Sequence, residues 1–253
     1  MHLPLAPSKR SRLLLAGLTA LCGILLITWL MLTPPGLLGK ADAIGYAVCH
    51  RIPARSFFLG DRPLPLCARC SGMFLGALLG LVYQLRSGRL GGLPPFKISV
   101  VLTVFLVAFG IDGVNSYLQF FSPVPRLYEP QNWLRLLTGS GLGIGIAAVI
   151  YPTFSQSVWE DWIPKPALPS WRHLLELGIW VVALNMLILW QNPLVLYPLA
   201  LLSSATVVLL LTLIHTIVWV LLLKKENAFR TWQALRLFLA AGLCTALLQV
   251  AII

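Results

Sequence analysis

Seven separate apolar stretches punctuate this chain, each close to the length that crosses a bilayer. They occupy residues 13–33, 65–85, 97–121, 132–151, 173–190, 194–223 and 232–253. About 20 helical residues traverse the roughly 30 Å of hydrocarbon. Hydrophobic residues make up 58% of the chain and charged residues 11%. A soluble domain carries about a quarter charged residues, so this chain lacks the polar side chains to coat itself. The reading is an all-α, polytopic transmembrane helical bundle of about seven spans. It forms one integral domain over residues 1–253, multi-pass in the plasma membrane, with the lipid bilayer as its first partner.

The first run lies behind Lys9, Arg10 and Arg12 and is longer than the apolar core of a signal peptide; no small-x-small cleavage pattern follows it. It reads as an uncleaved span. The sixth run is long but contains no turn signal between Leu199 and Leu223, so tilt accounts for it better than a hairpin. With the N-terminus inside and the C-terminus outside, twelve of the 19 Lys and Arg fall on inner flanks and seven on outer flanks, which is the sense of the positive-inside rule. The net charge of +11 is spread over separate loops. That distribution suits anionic headgroups, and no nucleic acid partner is expected.

The chemistry concentrates between the first two spans. Residues 34–72 form a Cys/His/Arg-rich segment at the outer face, reading Cys49-His50-Arg51-Ile52-Pro53-Ala54-Arg55-Ser56-Phe57-Phe58 and then Cys67-Ala68-Arg69-Cys70-Ser71-Gly72. Cys67 and Cys70, spaced C-x-x-C at a helix start, share one face one turn apart. Two thiolates so placed either bind one metal or form a redox pair. Cys49 and His50 are candidates to complete a Cys₃His set for zinc or iron, although neighbouring side chains diverge and one of the two suffices. A helix N-terminus and Arg69 favour thiolate there. Cys22 and Cys244, inside spans, read as small buried residues. Arg51, Arg55, Arg62 and Arg69 crowd the same segment, and a guanidinium fork suits phosphate or carboxylate.

A second polar set sits in and after the third span. Asp112 is expensive in a membrane unless paired or functional, and Arg135 is its expected partner. Asn115, Arg126, Glu129, Asn132, Arg135 and Thr138 follow. The second span begins on the face where the third ends and the fourth begins, so span parity brings both sets to one side. Gly72, Gly76 and Gly80, with Gly139, Gly141, Gly143 and Gly145, supply small faces for close helix approach.

The pattern Cys49-His50-x-x-Pro53-x-Arg55-Ser56, then Cys67-x-Arg69-Cys70-x-Gly72, resembles the signature of an uncharacterised prokaryotic membrane-protein family, a domain-of-unknown-function family. Asp112-Gly113 and Asn132-x-x-Arg135-x-x-Thr138-Gly139 are similar to its second block. The resemblance covers about residues 45 to 145. It implies that these residues act as one unit and names no reaction; the usual Gln after Cys-His is Arg51 here.

Three functions remain open on sequence alone. The first is a membrane enzyme with metal on Cys49, His50, Cys67 and Cys70. Arg55, Asn132 and Arg135 would bind an anionic lipid or isoprenoid-type substrate, and Asp112, Glu129 and Arg69 would act on it. The second is a thiol–disulfide or quinone-linked redox protein. The third is a transporter or membrane-complex assembly subunit in which the metal is a structural staple.

Overall fold

The computed structural model describes residues 9–118 and 127–253, with the side chains of residues 9–12, 14 and 15 left aside. Arg126 and the end of the third expected span, residues 119–121, lie outside the described residues.

Among the described residues eight α-helices carry the fold: α1 (Lys9–Leu32), α2 (Leu37–Val48), α3 (Ala68–Leu85), α4 (Phe96–Tyr117), α5 (Asn132–Val158), α6 (Trp171–Leu189), α7 (Pro193–Leu222) and α8 (Trp232–Ile252). Helices α3 to α8 are each long and apolar enough to cross a membrane, and α1 with α2 makes a seventh candidate as a bent pair. The sequence reading of a helical membrane bundle holds. Two short ribbons complete it: β1 (Phe58–Leu59) with β2 (Arg62–Pro63), and β3 (Leu90–Gly92) with β4 (Ile163–Pro166).

Two helix boundaries differ from expectation for identifiable reasons. The segment after the first span, read as a polar connection, contains α2. Pro34-Pro35-Gly36 ends α1, with Gly36 at φ 79°, and the helix formers from Leu37 onward restart the chain at 105° to its former course. The Lys40 ammonium caps the spent end of α1 by donating to the Leu30 carbonyl and, at 2.9 Å, to the Thr33 carbonyl, the placement that the helix dipole favours. The fourth span also continues past Tyr151 to Val158, with Pro152 inside it; its last turns are buried by Phe154 and Val158.

Glycine fixes the central contact. Helices α3 and α5 form the most extensive pair in the bundle. A β-carbon on Gly72 or Gly139 would collide with the facing backbone at Leu136 or Arg69. On Gly76 it would stand 2.6 Å from the Ser140 carbonyl oxygen. Gly143 meets Met73 in the same way, whereas Gly141 faces Phe105 of α4 and Gly145 faces open space. The two small-residue stripes therefore do meet, and backbone-to-backbone approach is what they permit.

The reading of Cys22 and Cys244 as inert packing is corrected: they are joined as a disulfide, Cα–Cα 5.0 Å, tying α1 to α8. A small buried residue and a half-cystine look identical from within one span; only the neighbouring helix tells them apart.

Candidate functional site

The start of α3 is the fulcrum of the site. Cys67 is the helix N-cap in extended conformation, and the Ser71 amide closes the first turn on its carbonyl at 2.8 Å. That turn sets Cys67 and Cys70 on one side and Arg69 on the other. Cys49 caps the end of α2 and is drawn in from the opposite direction, its Sγ accepting the Cys67 amide at 3.4 Å. The sulfurs of Cys49, Cys67 and Cys70 all lie within 4.8 Å of one another, a group able to hold a metal ion. All three are free of disulfide bonding.

Three thiols this close share charge unevenly. Hydrogen bonds from Cys67 and Cys70 hold the Cys49 thiol far below its ordinary range, against the opposing effect of burial. The trio therefore sets the Cys49 sulfur as the acceptor of its neighbours' hydrogen bonds. His50 stands exposed and outside the sulfur group, so three of the four expected ligands converge and the fourth does not.

On its other side Arg69 enters a buried polar network. Its Nε donates to Asp112 Oδ2 at 2.9 Å, and Nη2 donates to the Asp112 carbonyl and to Ser116 Oγ, both at 3.0 Å. The Tyr128 hydroxyl donates to the remaining Asp112 oxygen at 2.9 Å; burial and then this carboxylate push the phenol up. The expected Asp112–Arg135 pair is thus corrected to Asp112–Arg69. Arg135 instead donates to Ser116 Oγ at 3.4 Å and to Asn132 Oδ1 at 2.8 Å. Arg55 donates to the Ser116 carbonyl at 2.6 Å. Its guanidinium is held below its ordinary value, first by burial and then by the charge of Arg69, while a charge on Cys67 would act in the opposite sense. Asn132 also donates to the Ser56 carbonyl at 3.4 Å. Asn115 fastens the turn before α5 by donating to the Tyr128 carbonyl and accepting from the Leu127 amide, both at 2.9 Å. Glu129 is exposed on that turn.

The two sequence blocks therefore meet at one end of the bundle. Ser116 and Tyr128 were missed as members. Ser116 sits one helical turn after Asp112, a position that could have flagged it. Arg51 and Arg62 leave the site and share Asp42 of α2 instead, Arg51 at 2.6 Å.

Comparison with known proteins gives this end of the bundle a wider setting. Residues 49–149 match a family model described as "Predicted membrane protein (DUF2085)", and every residue of the sulfur group and the arginine network falls within that stretch. An uncharacterised protein of Methanocaldococcus jannaschii is 30% identical over 120 residues, 47% of this chain and 70% of the relative. An uncharacterised protein of Methanothermobacter thermautotrophicus is 31% identical over 105 residues, 40% of this chain and 83% of the relative. No solved structure matches the chain.

Proposed function

The chain belongs to the DUF2085 family of membrane proteins, and from that premise we propose that it is a metal-dependent enzyme acting on an anionic, lipid-like substrate at the outer face of the plasma membrane. The observation that carries this reading is the donor set among the described residues: three cysteine sulfurs gather, and His50 stays outside. Structural zinc sites close with four protein ligands, whereas catalytic ones keep three and leave a position for water or substrate. Zinc or iron bound to Cys49, Cys67 and Cys70 would supply Lewis acidity at that open position.

The residues beside it suit an anion. Around Ser116 three guanidinium groups, those of Arg55, Arg69 and Arg135, meet one carboxylate, that of Asp112. Guanidinium groups gathered in a poorly hydrated place suit phosphate or carboxylate. Asp112 serves here as a positioning residue: it holds the Arg69 fork in place, and Tyr128 holds Asp112. Asn132 orients Arg135. Glu129, exposed at the rim, is the group with access to a proton from water. An isoprenoid or acyl tail would stay in the bilayer while its charged head reaches the arginines.

Elemental analysis of the purified full chain tests the reading. About one zinc or iron per chain is expected, lost in Cys67→Ser and kept in His50→Ala. Cobalt substitution should give a spectrum that changes on adding a small anion such as azide, as an open coordination position requires. Metal below about 0.2 per chain in the wild type, or a cobalt spectrum indifferent to anions, overturns the enzyme reading. Reversible Cys67–Cys70 oxidation in a metal-free chain points to thiol–disulfide chemistry instead.

A further inference from the structure

At the opposite end of α3 from the cysteines, about 18 Å away by helix rise, lies a cavity of about 500 Å³. Helix α3 walls one side through Leu81 and Val82, α8 the other through Trp232, and α5 and α7 close the back through Phe154 and Leu209. The volume falls in the range of small-molecule pockets. Two of the hydroxyls on its wall are already bonded within the chain: the Tyr151 hydroxyl donates to the Gly88 carbonyl, and Thr212 Oγ1 to the Val208 carbonyl at 2.7 Å. The lining is otherwise mostly aliphatic and aromatic, and hydrocarbon loses nothing by entering it. Val82, Leu209 and Trp232 line the cavity and are also open to the outside, so the opening faces the bilayer side of the bundle.

The rim is of a different character. Trp159 and Trp232 stand edge to face with centroids 4.7 Å apart, and the Arg89 guanidinium lies 4.1 Å over the Trp159 ring. Arg89 pairs with Asp161, and Arg230 with Glu160, whose Oε2 lies 2.7 Å from Arg230 Nε. These four charges cancel. Lys165 lies on β4, whose Ile163 amide bonds the Arg89 carbonyl, and Lys224 and Lys225 just precede Asn227, whose amide bonds the Ser157 carbonyl; outside the cavity wall itself, they add cations with no ion-pair partner among the described residues, against the single Glu226. Indoles at an interface above an apolar slot, with surplus lysines around them, are complementary to a phospholipid of net negative charge.

We infer that this cavity is a binding site for one acyl chain of an anionic glycerophospholipid, held with its headgroup at the Lys165/Lys224/Lys225 rim. The site is separate from the cysteine end and does not depend on metal there.

Native mass spectrometry of the full chain in phosphatidylcholine micelles, titrated with phosphatidylglycerol, tests it. One phosphatidylglycerol per chain should stay bound at activation energies that strip phosphatidylcholine. Leu209→Phe, which fills the slot from an exposed position, should lower that occupancy roughly tenfold, equivalent to about 1.4 kcal/mol, with an unchanged melting profile in lipid-free detergent. Changing Lys165, Lys224 and Lys225 together to Gln should keep one bound lipid and abolish the preference for phosphatidylglycerol. Cys67→Ser should keep the lipid, which separates this site from the metal reading. Equal retention by wild type and a folded Leu209→Phe overturns the site; equal retention of both lipids by the wild type overturns its anionic occupant.

Discussion

Arg69 of α3 and Asp112 of α4 clasp each other across the helix interface through Nε–Oδ2 at 2.9 Å, with a further bond from the guanidinium to the Asp112 carbonyl at 3.0 Å. Asp112 is only 1% exposed. Much of α4 is open to the bilayer, including Val104, Val107 and Val114, so this clasp is a main tie between α4 and the site. Removing one member of a buried pair leaves the other charge uncompensated, at a cost of about 3 kcal/mol or more. Asp112→Asn is therefore expected to lower the unfolding midpoint in detergent sharply, and Asp112→Leu combined with Arg69→Met to recover much of the loss. Equal midpoints for wild type and Asp112→Asn would show that the clasp does not hold α4.

The glycine stripes make a sharp comparison within one helix. Gly143 packs against the Met73 carbonyl, and a β-carbon at Gly145 meets nothing within 4 Å. Gly143→Leu should prevent close approach of α3 and α5 and abolish accumulation of folded protein, while Gly145→Leu should be tolerated, as read by size-exclusion profile and yield. Similar behaviour of the two variants would contradict the packing described for α3 and α5.

Thiol counting checks the covalent arrangement. Of five cysteines, Cys49, Cys67 and Cys70 are free and Cys22 is joined to Cys244. Maleimide under denaturing, non-reducing conditions, with a chelator present, should label three per chain, and five after reduction. Five labels without reduction would exclude the cross-link in the purified protein.

The loop charges at the other end of the bundle respond to acid in a known sense. Hydrogen bonding from Arg230 holds the Glu160 carboxyl below its ordinary value, and hydrogen bonding from Arg89 does the same for Asp161. A carboxyl lowered on folding contributes stability above its unfolded value and loses it as the pH falls through the folded one. Arg230→Gln should thus melt slightly below wild type at about pH 7 and converge with it as the pH falls through the folded Glu160 value, which lies below the ordinary carboxyl value of about 4. A difference that persists unchanged at the acidic end would assign the effect of Arg230 to something other than Glu160. These charges are exposed, so the shift is small.

The spans could be read in the sequence because bilayer crossing is a property of local composition. The cysteine trio could be read in part because C-x-x-C at a helix start forces two sulfurs together. What escaped depends on rotation and contact. Arg69 and Arg135 were equally placed to pair with Asp112 by depth; the turn of α3 about its axis, set by Gly72 and Gly76 against α5, gives Arg69 to Asp112. His50 follows Cys49 directly, and successive residues leaving a helix end point apart, so only one joins the sulfurs. Helix α2 was hidden because twelve residues, four of them charged or glycine, fall short of a span signal, and its bend comes from Pro34-Pro35-Gly36 rather than from any periodicity.

The Cys22–Cys244 bond joins residues 222 positions apart, within α1 and α8, and this bears on the order of biogenesis. Synthesis delivers N-terminal segments first, yet the bond cannot close until α8 has been made and threaded beside α1. Until then α1 is held in the bundle only by non-covalent contacts, and a product terminated before α8 could never acquire the cross-link.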